Sequence, residues 1–168
     1  LYAAYMWRVM VYIAVAEKGE VSADPKSYHF EASSISAEGV TDKDTIAAGT
    51  VYSEFFTITG SVTQRISSGA TKSIELAKNG GGAVAFTLSR KAVVTVVVAS
   101  TSGSNTSAFA VVDALNQVIA EDAGLTIVEG TDGLTITYTL EAGSYSIISP
   151  ESEYNRGMRV YSVSVVEQ

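Results

Sequence analysis

Residues 72–100 read KSIELAKNGGGAVAFTLSRKAVVTVVVAS and contain three short apolar runs separated by two breaks. The runs are SIEL, AVAFTL and AVVTVVVA, in which β-branched and other apolar residues dominate. Such residues favour strands, and alternation with polar residues marks a strand that is buried on one face. The breaks, KNGGG and SRK, are rich in residues that are typical of turns. This stretch therefore predicts neighbouring β-strands joined by tight reversals.

The rest of the chain repeats this pattern and carries almost no helix signal. Only residues 43–50 predict a single helical turn, which ends at Gly49. In LTITYTL, residues 134–140, the apolar residues share one side of the strand and the threonines share the other. Reversals are predicted at residues 114–116 and within LEAGSYSI, residues 140–147. The predicted strands are 28–32, 55–60, 71–77, 83–88, 92–99, 108–113, 117–120, 126–128, 135–140, 144–149 and 158–166.

Many short strands without interleaved helices predict an all-β fold, an antiparallel β-sandwich of jelly-roll type. The length of 168 residues fits one domain, which we place at residues 22–168. Residues 1–21 are treated separately, because LYAAYMWRVMVYIAVA is apolar apart from Arg8. This run is shorter than the ~20 apolar residues that a membrane helix needs, so no membrane partner is expected. It predicts a strand, covered by other parts of the protein, or the remnant of a neighbouring module.

Few residues are suited to catalysis or metal binding. The chain has no cysteine, which excludes disulfides, thiolate zinc sites and cysteine nucleophiles. His29 is the single histidine and no G-x-S-x-G sequence accompanies it, so we predict a strand histidine and no enzyme. Asp42 with Asp44, and Glu129 with Asp132, are candidate calcium ligands, but neither pair matches the calcium-loop pattern. We expect no cofactor, and a structural calcium remains the alternative.

Positive charge is concentrated in one part of an acidic chain. The formal net charge is −7, yet residues 60–120 carry a net +3 and the remainder −10. An acidic chain is not expected to bind nucleic acid. Lys72 and Lys78 lie at the two ends of one predicted strand, where a lysine can pack its stem and keep its ammonium in water. Arg90 and Lys91 occupy the second break. These residues form either a basic binding surface or a set of edge charges that discourage aggregation.

Six segments, in this order, resemble one family: FFTITGSV, KSIELAKNGGGAVAFTL, KAVVTVVVASTSG, SAFAVVDALNQVIA, TYTLEAGSYSIIS and RGMRVYSVSV. Over residues 27–166 the chain is similar to the pectin-binding β-sandwich carbohydrate-binding modules attached to bacterial pectate lyases. The resemblance implies a secreted, extracellular bacterial module without catalytic activity. Its partners would be plant cell-wall polysaccharide and an appended catalytic domain.

The resemblance also implies a ligand, pectic homogalacturonan, bound by basic side chains on a shallow surface. The candidate residues that the resemblance implies for this surface are Lys72, Lys78, Arg90 and Lys91. The repeated carboxylates of homogalacturonan suit several charge-assisted contacts. Each contact is weak when exposed, so binding would depend on their number and fall with salt.

Two alternatives remain open. A neutral β-glucan or hemicellulose would be bound by aromatic faces and polar groups, and the candidate loop is SPESEYNRGMR, residues 149–159, with Tyr154 and Arg156. The chain could also be a structural or adhesive module of a bacterial surface assembly. Retention on an acidic glycan that weakens with salt would favour the first hypothesis over both.

Overall fold

A computed structural model describes residues 24–35, 43–65, 73–101, 106–126, 133–153 and 156–168. The predicted N-terminal segment 1–21, Lys72 and Tyr154 lie outside the described residues. So do Asp42, Glu129 and Asp132, three of the four candidate calcium ligands. Their predicted roles therefore stay predictions.

The described chain is built from strands and one short 3₁₀ helix, Ala32–Ile35. No helix in these residues is long and apolar enough to span a membrane. The strands are β1 Ser27–Glu31, β2 Thr45–Ile46, β3 Val51–Tyr52, β4 Phe56–Gly60, β5 Val62–Arg65, β6 Ser73–Leu76, β7 Gly82–Leu88, β8 Ala92–Ser100, β9 Thr106–Asp113, β10 Val118–Thr126, β11 Leu134–Leu140, β12 Gly143–Ile148 and β13 Met158–Glu167.

The strands form two antiparallel sheets. Sheet A has the order β11-β8-β13-β6-β5-β2. β1 also pairs with β13, along residues 162–166, whereas β6 pairs with residues 158–160 of the same strand. Sheet B has the order β10-β9-β12-β7-β4-β3. Consecutive strands often change sheet, as β6, β7 and β8 do within the stretch that opens the sequence argument. The predicted all-β fold, an antiparallel β-sandwich, is confirmed.

The core lies between the sheets and follows the alternation of the strands. In β7, Val84, Phe86 and Leu88 are buried in it, whereas Thr87 on the opposite parity is exposed. In β11 the predicted parity is also confirmed, with Ile136 and Leu140 buried and the threonines exposed. A cluster of aromatic rings from both sheets fills one part of the core: Phe30, Phe55, Phe56 and Phe86.

Two sequence predictions about local structure were wrong. Residues 43–50 form no helical turn, because Thr45 and Ile46 pair with Thr63 and Val62 of β5. The predicted strands 117–120 and 126–128 are not separate, since β10 is one strand from Val118 to Thr126 with two register irregularities in its pairing with β9. The predicted reversal after β11 is present, and it leads from β11 in sheet A to β12 in sheet B. The reversal at residues 114–116 does connect a paired hairpin, β9 and β10.

Candidate ligand-binding surface

The predicted basic residues fall at two opposite ends of the sandwich. Lys78 lies in the turn before β7, and Arg90 and Lys91 lie in the turn after it. A seven-residue strand that rises about 3.3 Å per residue separates these turns by roughly 20 Å. The fold therefore does not bring Lys78 together with Arg90 and Lys91.

Arg90 is engaged within the protein. Its Nε lies 3.9 Å from Oε2 of Glu167, and its side chain is only 19% exposed. The buried Glu167 carboxylate also accepts a 2.7 Å hydrogen bond from the Ser89 hydroxyl and a longer one from the backbone nitrogen of Lys26. Burial acts to raise the pKa of Glu167, but these hydrogen bonds and the Arg90 charge outweigh it and lower the pKa below its ordinary value. This arrangement gives Arg90 a structural partner at the end of β13.

Lys91 also has an acidic partner. Its Nζ lies 3.3 Å from Oε1 of Glu141, and both side chains are well exposed. An exposed pair of this kind contributes little to stability. It does place a carboxylate beside the ammonium group that was predicted to meet an acidic glycan.

At the other end of the sandwich, Lys78 and Arg156 are neighbours. Gly157 packs against the end of β6, and a Cβ there would lie 3.7 Å from the backbone nitrogen of Lys78. The backbone nitrogen of Gly80 donates to the carbonyl of Ser149, whose hydroxyl donates to the carbonyl of Arg156. Both basic side chains are exposed, and Lys78 has no ion-pair partner within the described part of the chain. The structure thus joins two of the six predicted residues.

A cleft of about 360 Å³ crosses the outer face of sheet B. Its floor consists of small side chains that are directly opposed on β4, β7 and β12: Thr57, Ala85, Thr87, Ser144 and Ser146. Glu54 and Phe55 border it on one side, and Asp113 and Ala114 border it on the other. Because no large side chain fills the floor, the surface stays open to a ligand.

A second cleft, of about 400 Å³, continues along the same face toward the end that carries Lys78. The two clefts share Ser146. The wall of the second cleft includes amides, one carboxylate and apolar groups: Thr59, Asn79, Gly80, Ala83, Val112, Asn116, Val118, Ile148, Pro150 and Glu151. Together the clefts form one groove across sheet B, which we call the sheet B groove.

The first cleft is electrostatically negative. The side chains of Glu54 and Asp113 border it, and Tyr145 lines it. Burial, followed by the charges of Glu141 and Asp113, raises the pKa of Tyr145. The Tyr145 hydroxyl donates to the carbonyl of Glu141, and its ring packs against Phe86 of the core with ring centroids 6.0 Å apart. An anionic ligand would meet repulsion here, whereas sugar hydroxyls would find acceptors.

The sequence did not point to this groove. Its floor residues occupy the outward positions of three strands that are far apart in the sequence, and only the strand order brings them together. Small side chains at the outward positions of β4, β7 and β12 are the sequence signal that could have indicated an open outer face. The strand order itself, however, was not predictable from alternation.

His29 lies on the outer face of sheet A, opposite the groove. Its Nδ1 is 2.7 Å from the hydroxyl of Ser164, its direct partner across β1 and β13, and its Nε2 is 3.3 Å from Glu31. These side chains are exposed and line neither cleft of the sheet B groove. No group of three or more histidine, aspartate or glutamate side chains in the described residues is placed to hold a metal ion.

No family model matches this chain. No curated protein sequence matches it either. Solved structures with a similar chain fold include a protein of the Ruminococcus flavefaciens cellulosome from work on glycan recognition. Its sequence is 16% identical, the match covers 84% of this chain and 94% of that chain, and the TM-score is 0.46. The C-terminal CBM6 of LamC, a marine laminarinase from Zobellia galactanivorans, has 15% identity over 84% and 100%, with a TM-score of 0.46.

The K2 cleaved adhesin domain of the Lys-gingipain of Porphyromonas gingivalis has 9% identity over 83% of this chain and 99% of that domain, with a TM-score of 0.49. All three identities are low and each TM-score is below 0.5. The two-sheet architecture is therefore established by the strand pairing of this chain itself.

Proposed function

We propose that this protein is a non-catalytic carbohydrate-binding module whose ligand lies in the sheet B groove. The observation that carries the proposal is the groove itself, an open channel with a floor of small residues and walls of hydroxyl, amide, carboxylate and aromatic groups. A sugar chain presents hydroxyl groups at its edges and C–H groups on its faces. Thr87, Ser144 and Asn79 supply hydrogen-bonding groups, and the parts of Phe55 and Tyr145 that border the first cleft, beyond their contacts with the core, add contact area.

The charge of the groove favours a neutral glycan, such as a β-glucan or a hemicellulose. The ionisable side chains that line it are Glu54, Asp113 and Glu151. Carboxylates accept hydrogen bonds from sugar hydroxyls, but they repel the carboxylates of a polyuronate. The net charge of −7 adds to that repulsion.

Pectic homogalacturonan is the second candidate, because Lys78 and Arg156 are exposed on neighbouring backbone segments, close to Gly80 of the second cleft. Lys72, predicted as part of the same basic surface, belongs to this proposal, whereas Tyr154 was predicted for a neutral glycan and belongs to the first candidate. Arg90 and Lys91 support it less, since each has a carboxylate partner in the protein. For either ligand, we propose that the protein is secreted by a bacterium and attaches an appended enzyme to plant cell-wall polysaccharide.

Affinity electrophoresis against neutral glucans, xyloglucan and homogalacturonan at two salt concentrations tests both candidates. Ser146→Trp fills the point that the two clefts share and should abolish retardation on the neutral glycan. Val166→Trp is the matched control, because Val166 is exposed on the opposite sheet and should leave binding unchanged. Thermal unfolding of both variants verifies that the fold is kept.

The outcomes separate the candidates. Salt-independent retardation that is lost in Ser146→Trp supports the neutral-glycan site. Retardation on homogalacturonan that weakens with salt and disappears in Lys78→Ala and Arg156→Ala, but not in Lys91→Ala, supports the pectin site. Absence of retardation on every glycan contradicts carbohydrate binding and favours a structural module of a surface assembly.

A further inference from the structure

The turn between β3 and β4 has a strained backbone. Residues 52–55 form this turn, which is closed by a 3.1 Å hydrogen bond from the backbone nitrogen of Phe55 to the carbonyl of Tyr52. The two central residues, Ser53 and Glu54, have positive φ angles of 52° and 54°. Such a pair of angles is typical of a type I′ turn, for which Asn-Gly is the favoured sequence. The chain therefore places a long acidic side chain where glycine would be less strained.

Contacts with β1 hold this strained turn in place. The Ser53 hydroxyl donates a 2.5 Å hydrogen bond to the carbonyl of His29. The ring of Phe55 stacks on the ring of Tyr28, with centroids 3.7 Å apart and an interplanar angle of 8°. Strained backbone persists only where the surrounding structure fixes it, and such positions concentrate at functional sites. The residues on both sides of Glu54 are therefore fixed by contacts of their own.

Glu54 borders the first cleft of the sheet B groove with an exposed carboxylate. The other carboxylate of this cleft, Asp113, already accepts hydrogen bonds of 2.8 and 2.9 Å from two backbone nitrogens of its own turn. The hydroxyls of Thr87 and Ser144 lie 3.0 Å apart and bond to each other, and the Tyr145 hydroxyl donates to a backbone carbonyl. Within the described part of the chain, the Glu54 side chain has no hydrogen bond or ion pair. Its two oxygens can therefore accept hydrogen bonds from a ligand.

We propose that Glu54 determines the specificity of the first cleft, and that its carboxylate accepts hydrogen bonds from two neighbouring hydroxyl groups of one sugar residue. This assignment rests on the proposed function, because it names a contact of the neutral glycan in the sheet B groove. Hydrogen bonds to an ionised acceptor are about twice as strong as those between neutral groups. A glycine at position 54 would relieve the strain but could not supply the carboxylate. The strain is therefore the cost of the binding group.

Glu54→Gly separates stability from binding, because the two should change in opposite directions. Relief of the strain, reduced by the conformational entropy of glycine, should raise Tm by about 1–4 °C. Loss of hydrogen bonds to a charged group should weaken the affinity for mixed-linkage β-glucan or xyloglucan by about 10- to 100-fold. Thermal unfolding measures the first effect. Affinity electrophoresis over a range of glycan concentrations measures the second.

Two further variants separate the carboxylate from the backbone. Glu54→Gln keeps the strain and the length of the side chain, so it should leave Tm unchanged and still weaken glycan binding by about tenfold. Lys43→Gly is the matched control for glycine. Lys43 is exposed, has a positive φ of 69° and lines neither cleft. Lys43→Gly should therefore raise Tm in the same way as Glu54→Gly and leave glycan binding unchanged.

The outcomes distinguish this assignment from the proposed function. If Glu54→Gly and Glu54→Gln bind the glycan like the unchanged protein while Ser146→Trp does not, the groove stands as the binding site and the role of Glu54 is overturned. A Tm of Glu54→Gly that does not rise, or an equal loss of binding in Lys43→Gly, also overturns it. If no neutral glycan retards the unchanged protein, the neutral-glycan function fails and the assignment of Glu54 fails with it.

Discussion

Glu167 and Arg90 form an ion pair inside the protein, although the sequence analysis predicted that Arg90 binds a glycan. Glu167 is only 4% exposed, and its carboxylate joins the Ser89 hydroxyl, the Lys26 backbone and the Arg90 guanidinium. A buried carboxylate without such partners would be costly. The network therefore fixes the end of β13 to the β7–β8 turn and to the residue that precedes β1.

We predict that Glu167→Gln lowers the free energy of unfolding by about 1–3 kcal/mol at neutral pH, because hydrogen bonds to a charged group are lost in the interior. The folded-state pKa lies below the ordinary value of 4.5. The contribution of the carboxylate is therefore complete above that pH and disappears as the pH falls through the lower, folded-state pKa. Urea unfolding at neutral and acidic pH measures both effects.

The control for this prediction is Glu141→Gln, which removes a carboxylate that is also paired with a basic residue but is 77% exposed. Its effect should stay within about 0.5 kcal/mol. Equal losses for the two variants, or a Glu167→Gln effect that persists unchanged in acid, would contradict the role assigned to the buried carboxylate.

The corner between β4 and β5 shows how the two sheets are linked at the level of elements. β4 belongs to sheet B and β5 to sheet A, and only Ser61 separates them. Gly60 makes this corner with a positive φ of 68°, and its α-carbon packs against the backbone of Gly81. Ser61 also donates to the carbonyl of Gly81 and accepts from Ala77, so this corner and the β6–β7 turn support each other.

We predict that Gly60→Ala destabilises the protein by at least about 3 kcal/mol, because a side chain there is both strained and in collision with the Gly81 carbonyl oxygen. Gly49→Ala is the matched control. Gly49 also has a positive φ, of 88°, but an added Cβ would meet no atom within 4 Å. Gly49→Ala should therefore lower the free energy of unfolding only by the backbone strain, about 1–2 kcal/mol. Chemical denaturation of both variants measures the difference, and similar losses would show that the collision is relieved by movement.

Alternation predicted the strands that bury one face, because a β-strand repeats every two residues. β7, β8, β11 and β12 were placed to within a residue or two of their observed bounds. β2 and β3 were missed because two-residue strands carry no period, and their pairing depends on β5 and β4. In β13 a bulge at Tyr161 changes the parity of buried residues, from Met158 and Val160 to Val163 and Val165, and no sequence period reveals it.

The candidate site was less predictable than the fold. Lys78 and Arg156 were both predicted, yet their proximity depends on the pairing of Met158 with Leu76. Lys78 and Lys91, in contrast, are close in sequence but lie at opposite ends of β7. Residue type and local charge therefore identified candidates, while the order of strands decided which of them share a surface.

At the level of the whole molecule, the overall charge and the lining of the groove favour the same kind of ligand. The chain has a formal net charge of −7, and the ionisable side chains that line the sheet B groove are Glu54, Asp113 and Glu151. The field of the whole protein and the local carboxylates therefore both repel a polyanion. Neither opposes an uncharged sugar chain.

We therefore predict that the affinity for a short neutral oligosaccharide, measured by calorimetry, changes by less than about twofold between low and high salt, because an uncharged ligand forms no ion pair that salt could screen. Ser146→Trp should lose this binding at both salt concentrations, whereas Val166→Trp should keep it. An affinity for the neutral oligosaccharide that falls steeply with salt would contradict the neutral-glycan site.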